Sequence, residues 1–460
     1  MSNRKDKYGE VFTPPILIQE LLDHLPKYVW TDSNAQWLDP CAGQGNFLDE
    51  ILPRLMDGLS TKIPNSTTRR RHILERMITQ IEFNPANVRV LRSKYGTKTK
   101  IISADFLSTT HNNTYDVIVA NPPYQSPKNN AYKGSSGKRT LWDLFVKRAL
   151  ELATPNTGVL GFITPANWRR PDHELWLLLR ERLLFLHIYG KAAGMEFFHV
   201  QTRFDIYVFQ QKPNEKETKI PLVIDEQGIS HSHEIVTKQW PFMPNGLYKI
   251  IQSILVPKEE GIQVIYDSTR YDARKLTLKP TASSKYPIVH TLNQQGIGLR
   301  YASERDTVEG LRPSKQFVPK VILNVNEKQY PVNDWQGKYG MSQLSFGIPI
   351  RSKTEGERLV ACINSPLFQD IIRMTKWGSF QTDYRMFGYF RPDFCKIIHQ
   401  QLTSEVTLSP EKFGQRASVP YSLQQLNSKV TLSPENFDRS TKKNKLSNYT
   451  KKHNVTRRNL

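Results

Sequence analysis

The chain has 460 residues, enough for two or three domains that each bury a core, so a single average domain is not expected. Lysine and arginine outnumber aspartate and glutamate by 64 to 43, a formal charge of +21, which suits an extended polyanion such as nucleic acid better than a neutral metabolite. Cys41, Cys362 and Cys395 show neither a C-x-x-C pair nor zinc-type spacing, and no apolar run is long enough to span a membrane. A disulfide framework, a metal site and a membrane span are therefore excluded, and a reducing, cytoplasmic setting is expected.

Near the N-terminus, Thr13 is placed to cap a helix with Pro14 at its first position and Ile16, Leu17, Leu21, Leu22 and Leu25 on its buried face. From about residue 36 to 211, short apolar runs alternate with helix-length amphipathic stretches, with strands predicted at 36–38, 77–82, 100–103, 117–120, 158–164 and 204–210. This rhythm predicts an α/β domain over residues 1–215, a mostly parallel sheet with helices on both faces. The polar stretch 211–218 reads as a linker or a hairpin loop. Residues 216–400 mix short strands and helices with aromatics set among cations, and read as a second, mixed α/β module. Residues 401–460 form a basic tail expected to be flexible, with a near repeat of VTLSPEKF at 406–413 and VTLSPENF at 430–437.

Four motifs fall at the predicted carboxyl ends of strands, where such sheets gather ligands. The first is Asp39-Pro40-Cys41-Ala42-Gly43-Gln44-Gly45. Gly43 and Gly45 let backbone approach a ligand. The leading Asp39 suits a cation rather than a pyrophosphate, and S-adenosyl-L-methionine carries both a sulfonium and an ammonium. Glu82, ending the next strand, can accept the hydroxyl hydrogens of a ribose. Asp105 and Phe106, after the third, offer an acceptor and a ring to an adenine. A plain glycine-rich helix entry, a surface glutamate and a strand-ending aspartate are the bland alternatives.

The fourth motif, Asn121-Pro122-Pro123-Tyr124, follows the apolar YDVIVA. The exocyclic nitrogen of adenine is a poor nucleophile, because its lone pair is delocalised into the ring. The Asn121 side-chain oxygen and the Pro122 carbonyl can each accept one amino hydrogen and draw that nitrogen toward a tetrahedral shape. The prolines stiffen the loop, and Tyr124 can stack on the base, worth about 1–3 kcal/mol. The bland alternative is a Pro-Pro turn with an ordinary asparagine.

In this order the motifs resemble those of the gamma-class N6-adenine-specific DNA methyltransferases of restriction-modification systems, over roughly residues 8–211. The resemblance implies a Rossmann-like, class I S-adenosylmethionine-dependent methyltransferase sheet followed by a target-recognition domain. It assigns cofactor contacts to Phe12, Thr13 and Pro14, to Asp39, Pro40, Ala42, Gly43 and Gly45, to Glu82, to Asp105 and Phe106, and to Asn121. Asn121 to Tyr124 would be catalytic, and Phe197 or Phe198 would sandwich the extruded base against Tyr124. Gln44 and Cys41 depart from the small residues usual in that loop. A monomer is implied, with duplex DNA as substrate and a cognate restriction endonuclease as its companion.

The segments Lys376-Trp377-Gly378-Ser379-Phe380 and Tyr384 to Arg391 interleave cations and rings, and suit a DNA clamp or core aromatics equally. Two other readings of the whole chain stay open. One is an N-methyltransferase acting on protein glutamine or RNA, against which the large basic second half and the Phe-Thr-Pro argue. The other is a noncatalytic DNA-binding or restriction subunit; Glu217-Thr218-Lys219 is a lone E-x-K without a partner carboxylate.

Overall fold

The central strands of the first half carry apolar side chains that divide by alternation between the two faces. Trp37, Val117, Val119, Ile206 and Val208 enter one core, while Leu38, Ile118, Ala120, Tyr207 and Phe209 enter another. Such a pattern requires a sheet covered on both faces. The computed structural model of the protein describes residues 12–110, 113–125, 140–212, 220–232, 234–267, 271, 273–305, 316–378 and 381–408, with backbone alone over 402–408.

The main sheet contains β1 (Trp37–Asp39), β2 (Ile78–Glu82), β3 (Lys100–Ser103), β4 (Val117–Ala120), β5 (Val159–Pro165), β6 (Leu183–Tyr189), β7 (Phe204–Gln210), β8 (Leu222–Ile224) and β9 (Ser230–His231). Their spatial order is β3-β2-β1-β4-β5-β7-β6-β8-β9. The first five pair in parallel, and β7 runs antiparallel to both β5 and β6. The chain is thus α/β, with a Rossmann-like sheet and helices on both faces. Its direction of winding switches between β1 and β4, whose carboxyl ends meet at the crevice where ligands bind in open α/β sheets.

Several expectations are revised. β6, β8 and β9 were not predicted, and the last two carry the sheet past residue 215. Between Asn46–Gly58 and β2, Ser66–His72 adds a short helix, capped where the Asn65 side chain accepts from Thr68 N–H at 2.9 Å. Thr13 does not cap the first helix. Pro14 is the cap residue of Pro15–Asp23 and makes no side-chain capping bond, while Pro15 takes the first helical position.

One face of the sheet is covered by the helices Pro15–Asp23, Asn46–Gly58 and Pro85–Tyr95. The other is covered by Trp142–Leu152 together with residues of the second half, including Phe242, Ile251, Phe368, Ile371 and Phe390. The described residues up to Ser404 form one compact unit. Two three-stranded sheets complete the second half: β10 (Tyr286–Asn293) lies between β11 (Gly296–Ala302) and β14 (Gly340–Met341), and β12 (Lys320–Asn324) between β13 (Val332–Asp334) and β15 (Ser345–Pro349). Trp377, Phe387 and Phe390 are buried, and the Trp377 indole donates to the Met243 carbonyl at 2.6 Å. These three rings are therefore core. Ser379, Phe380, residues 213–219 and residues 409–460, including the second copy of the near repeat, lie outside the described residues, while 401–408 continue the helix Phe394–Leu408.

Candidate active site

The loop after β1 and the loop after β4 are tied together by the segment before the first helix. Thr13 is 5% exposed; its carbonyl accepts from the Asn46 side-chain amide at 3.1 Å, and its hydroxyl accepts from Asn121 Nδ2 at 2.9 Å. Phe-Thr-Pro, the glycine-rich loop and the tetrapeptide are thus one hydrogen-bonded assembly. Because Nδ2 is held by Thr13, the opposite end of the amide is fixed as well. Asn121 Oδ1 is buried and has no hydrogen-bond partner among the described residues. A rigid, desolvated acceptor of this kind suits a donor brought by a ligand.

Tyr124 packs partly buried against the core beside the helix Trp142–Leu152. Burial, helped by the nearby Asp205 charge, pushes its phenol well above the usual tyrosine range, so it stays neutral. Pro122 is buried and Pro123 half-buried. The Cys41 thiol donates to the Asn121 carbonyl at 3.5 Å, and burial raises that thiol well above its usual range. Cys41 therefore acts as a small neutral filler between the two loops.

In the glycine-rich loop, Asp39 ends β1 at 4% exposure. Its Oδ1 accepts from the Cys41 N–H at 3.2 Å, whereas Oδ2 is buried without a partner among the described residues. Burial, with the Glu82 charge adding to it, raises this carboxyl to about 7. Gly43 has φ +54° and open space where a side chain would begin. Gly45 has φ +89°, and a Cβ there would meet the Tyr95 hydroxyl at 2.6 Å, so its bareness serves packing against that ring. Pro40 and Ala42 are buried within the turn.

Glu82 clamps this loop. One carboxylate oxygen accepts from the Gly43 N–H at 2.7 Å and the other from the Asn84 N–H at 2.6 Å. A carboxylate offers about four acceptor positions, so these two bonds are compatible with ribose hydroxyls. At the end of β3, Asp105 Oδ1 accepts from the Leu107 N–H at 3.0 Å. Phe106 is buried, its ring 5.1 Å from that of Phe145. Phe12 is 48% exposed. Two partnerless buried acceptors, one charge-capable at Asp39 and one neutral at Asn121, with glycine backbone between them, fit the ammonium end of S-adenosylmethionine and an amine donor.

Phe197 and Phe198 close the helix Lys191–Phe198. Phe198 is buried edge-on to Phe204 at 4.9 Å, and Phe197 stands edge-on to Tyr189 at 6.2 Å. Both rings join the core on the opposite face from Tyr124.

No local sequence signal pointed to Arg169 and Asp205. Both are fully buried, and the guanidinium meets the carboxylate twice, at 2.7 and 2.9 Å. The same guanidinium donates to the Met243 carbonyl at 2.8 Å and to Asn245 Oδ1 at 2.9 Å. It thereby joins β7, near Tyr124, to the second half.

Residues 52–185 match the family model described as Eco57I restriction-modification methylase. Among curated relatives, an uncharacterized adenine-specific methylase of Mycoplasma pneumoniae is 25% identical over 252 residues, covering 38% of this chain and 59% of that protein. The type II methyltransferase M.BstVI of Geobacillus stearothermophilus is 28% identical over 193 residues, covering 34% of this chain and 33% of the relative. The chain thus spans between a third and about three fifths of these relatives. The type IIL restriction-modification enzyme MmeI, solved in complex with DNA, aligns with 90% of this chain and 73% of its own at a TM-score of 0.48 and 12% identity. In these segments the chain is similar to restriction-modification methylases and to proteins named as adenine-specific or type II methyltransferases.

Proposed function

We propose that the chain transfers a methyl group from S-adenosyl-L-methionine to N6 of an adenine turned out of duplex DNA at a specific sequence. The carrying observation is the partnerless Asn121 Oδ1, fixed by the bond from Nδ2 to Thr13.

When bound, the cofactor supplies a methyl group activated by the sulfonium. Asp39, at the mouth of β1, offers its free carboxylate oxygen to the ammonium. Glu82 holds the glycine loop while accepting from the ribose, Asp105 and Phe106 border the adenine ring, and Phe12 and Pro14 flank the site. On the substrate side, Asn121 Oδ1 and the Pro122 carbonyl each accept one hydrogen of the target amine. This pulls its lone pair out of the ring, and removing one such preorganised contact typically costs about 10²–10³ in rate. Tyr124 supports one face of the base. Turning the base out costs a few kcal/mol, which contacts from the second half to phosphates and base edges would offset.

The test is retention of tritium from labelled donor on adenine-containing duplex, with RNA and glutamine-bearing protein as alternative acceptors. Asn121→Ala is expected to lose transfer by at least about 10²-fold while its cofactor Kd stays within about threefold. Transfer to RNA or protein instead of DNA, or full activity in Asn121→Ala, would overturn the reading.

A further inference from the structure

In the middle of β2, Gln80 is 0% exposed, and neither its Oε1 nor its Nε2 has a hydrogen-bond partner among the described residues. Burying a carboxamide without partners is unfavourable, so a core position of this kind calls for a partner. Its surroundings are specific. In the parallel ladder Gln80 pairs with Asp39 on one side and with Ile101 on the other. Paired residues project to the same face, and adjacent strands lie about 5 Å apart. The carboxamide and the Asp39 carboxylate are thus neighbours, the latter with its own partnerless, buried Oδ2. They make no direct hydrogen bond. Two sealed polar groups on adjacent strands, each lacking a partner, are the setting in which an internal water is held, since such a water needs two to four polar contacts.

We propose that Gln80 is a positioning residue for the cofactor site, holding a buried water that bridges its carboxamide to Asp39 Oδ2 and so aims and tunes the carboxylate offered to the cofactor's ammonium. The inference rests on the cofactor reading above. The other groups that face Asp39 are Glu82 from β2, Cys41 in its own loop, and Tyr95 from the helix Pro85–Tyr95, whose hydroxyl donates to Asp49 at 2.8 Å. Asp49, Glu82 and Asp39 are all acidic, which leaves the carboxamide and its water as the groups able to donate toward Oδ2 from below.

The direction of the pH effect follows. In the free protein the Asp39 carboxyl titrates near 7, so below that value binding the ammonium must also ionise it. Cofactor affinity therefore rises with pH through about 7 and levels off above it. Losing the water's hydrogen bond removes support for the charged form and moves that inflection upward.

The experiment is calorimetric titration of S-adenosylmethionine into the full chain between pH 5.5 and 9, for wild type, Gln80→Met and Gln80→Asn, with circular dichroism and Tm to establish folding. The ligand's own ionisation is common to all three and cancels in the comparison. For Gln80→Met, an inflection raised by about one pH unit is expected, with Kd weakened about fivefold at pH 7 and about tenfold at pH 5.5, where one unit corresponds to one decade. Gln80→Asn, which keeps an amide within reach of water, should recover at least part of the shift. A high-resolution crystal structure should show ordered density between the two side chains. If wild type binds the cofactor but Gln80→Met raises Tm and leaves Kd and inflection unmoved, Gln80 is an uncompensated core amide and the inference is wrong. If wild type fails to bind the cofactor at all, the functional reading itself fails.

Discussion

At the scale of single residues, the site depends on one amide held the right way round. Asn121 can present either end to a substrate, and only Thr13 Oγ1, an acceptor for Nδ2 at 2.9 Å, selects the oxygen. Thr13→Val keeps the shape and removes that acceptor. Transfer is expected to fall about 10–100-fold, with cofactor Kd changed less than about threefold, because the lost contact acts on the amine. Single-turnover kinetics beside calorimetry would separate the two, and a variant impaired only in Kd would show that Thr13 serves the cofactor instead. Sequence reading located Asn121, Asp39 and Glu82, because each ends an apolar run at the edge of a sheet. It misassigned Thr13, since Thr-Pro before a helix is also the pattern of an N-cap. The bond it makes instead spans 108 positions, and nothing local encodes such a contact.

At the scale of elements, the turn from β1 into the helix Asn46–Gly58 contains two glycines that the sequence treats alike and the structure separates. Gly45→Ala would place a methyl 2.6 Å from the Tyr95 hydroxyl at φ +89°, a conformation that costs a substituted residue about 1–3 kcal/mol. Tyr95 also donates to the Gly45 carbonyl at 2.9 Å, so both sides of the contact would move. Gly43→Ala, at φ +54° with open space beside it, is expected to lose less stability and to weaken cofactor affinity more. Denaturant unfolding and cofactor titration of the two variants should thus rank them in opposite orders, and an identical ranking would place both glycines in one role. The strand feeding this turn, β1, was legible because Trp37 and Leu38 form a short apolar run bounded by Gln36 and by Asp39-Pro40. β6 was not: LLFLHIY follows ELWLLLRER with no punctuation, so an apolar helix and an apolar strand run together and periodicity cannot divide them.

For the whole molecule, the second half packs on the sheet rather than hanging beside it. Alternating apolar residues show that a strand has a covered face without naming the segment that covers it. The sequence therefore marked out residues 216–400 by composition, while leaving unseen that Phe242, Ile251, Phe368 and Phe390 share a core with Leu38 and Tyr207. Arg169 is the polar counterpart of that shared core. Besides its two bonds to Asp205, it reaches Met243 and Asn245, and Asn245 Nδ2 in turn donates to the Lys376 carbonyl at 2.9 Å. Arg169→Met strips the buried Asp205 of the guanidinium that favours its charged form, and breaking one side of a buried pair typically costs about 3–5 kcal/mol. Replacing both partners, as Arg169→Met with Asp205→Leu, removes the stranded carboxyl, and much of the loss should return. Guanidinium unfolding followed by both tryptophan fluorescence and circular dichroism measures each member of the cycle. The double variant should be more stable than Arg169→Met alone, with the two probes coincident in wild type, because strand, carboxylate and second-half backbone are held by one guanidinium. Strict additivity of the single losses would instead mean that Arg169 and Asp205 act through separate surroundings, and that the halves are joined by apolar contact alone.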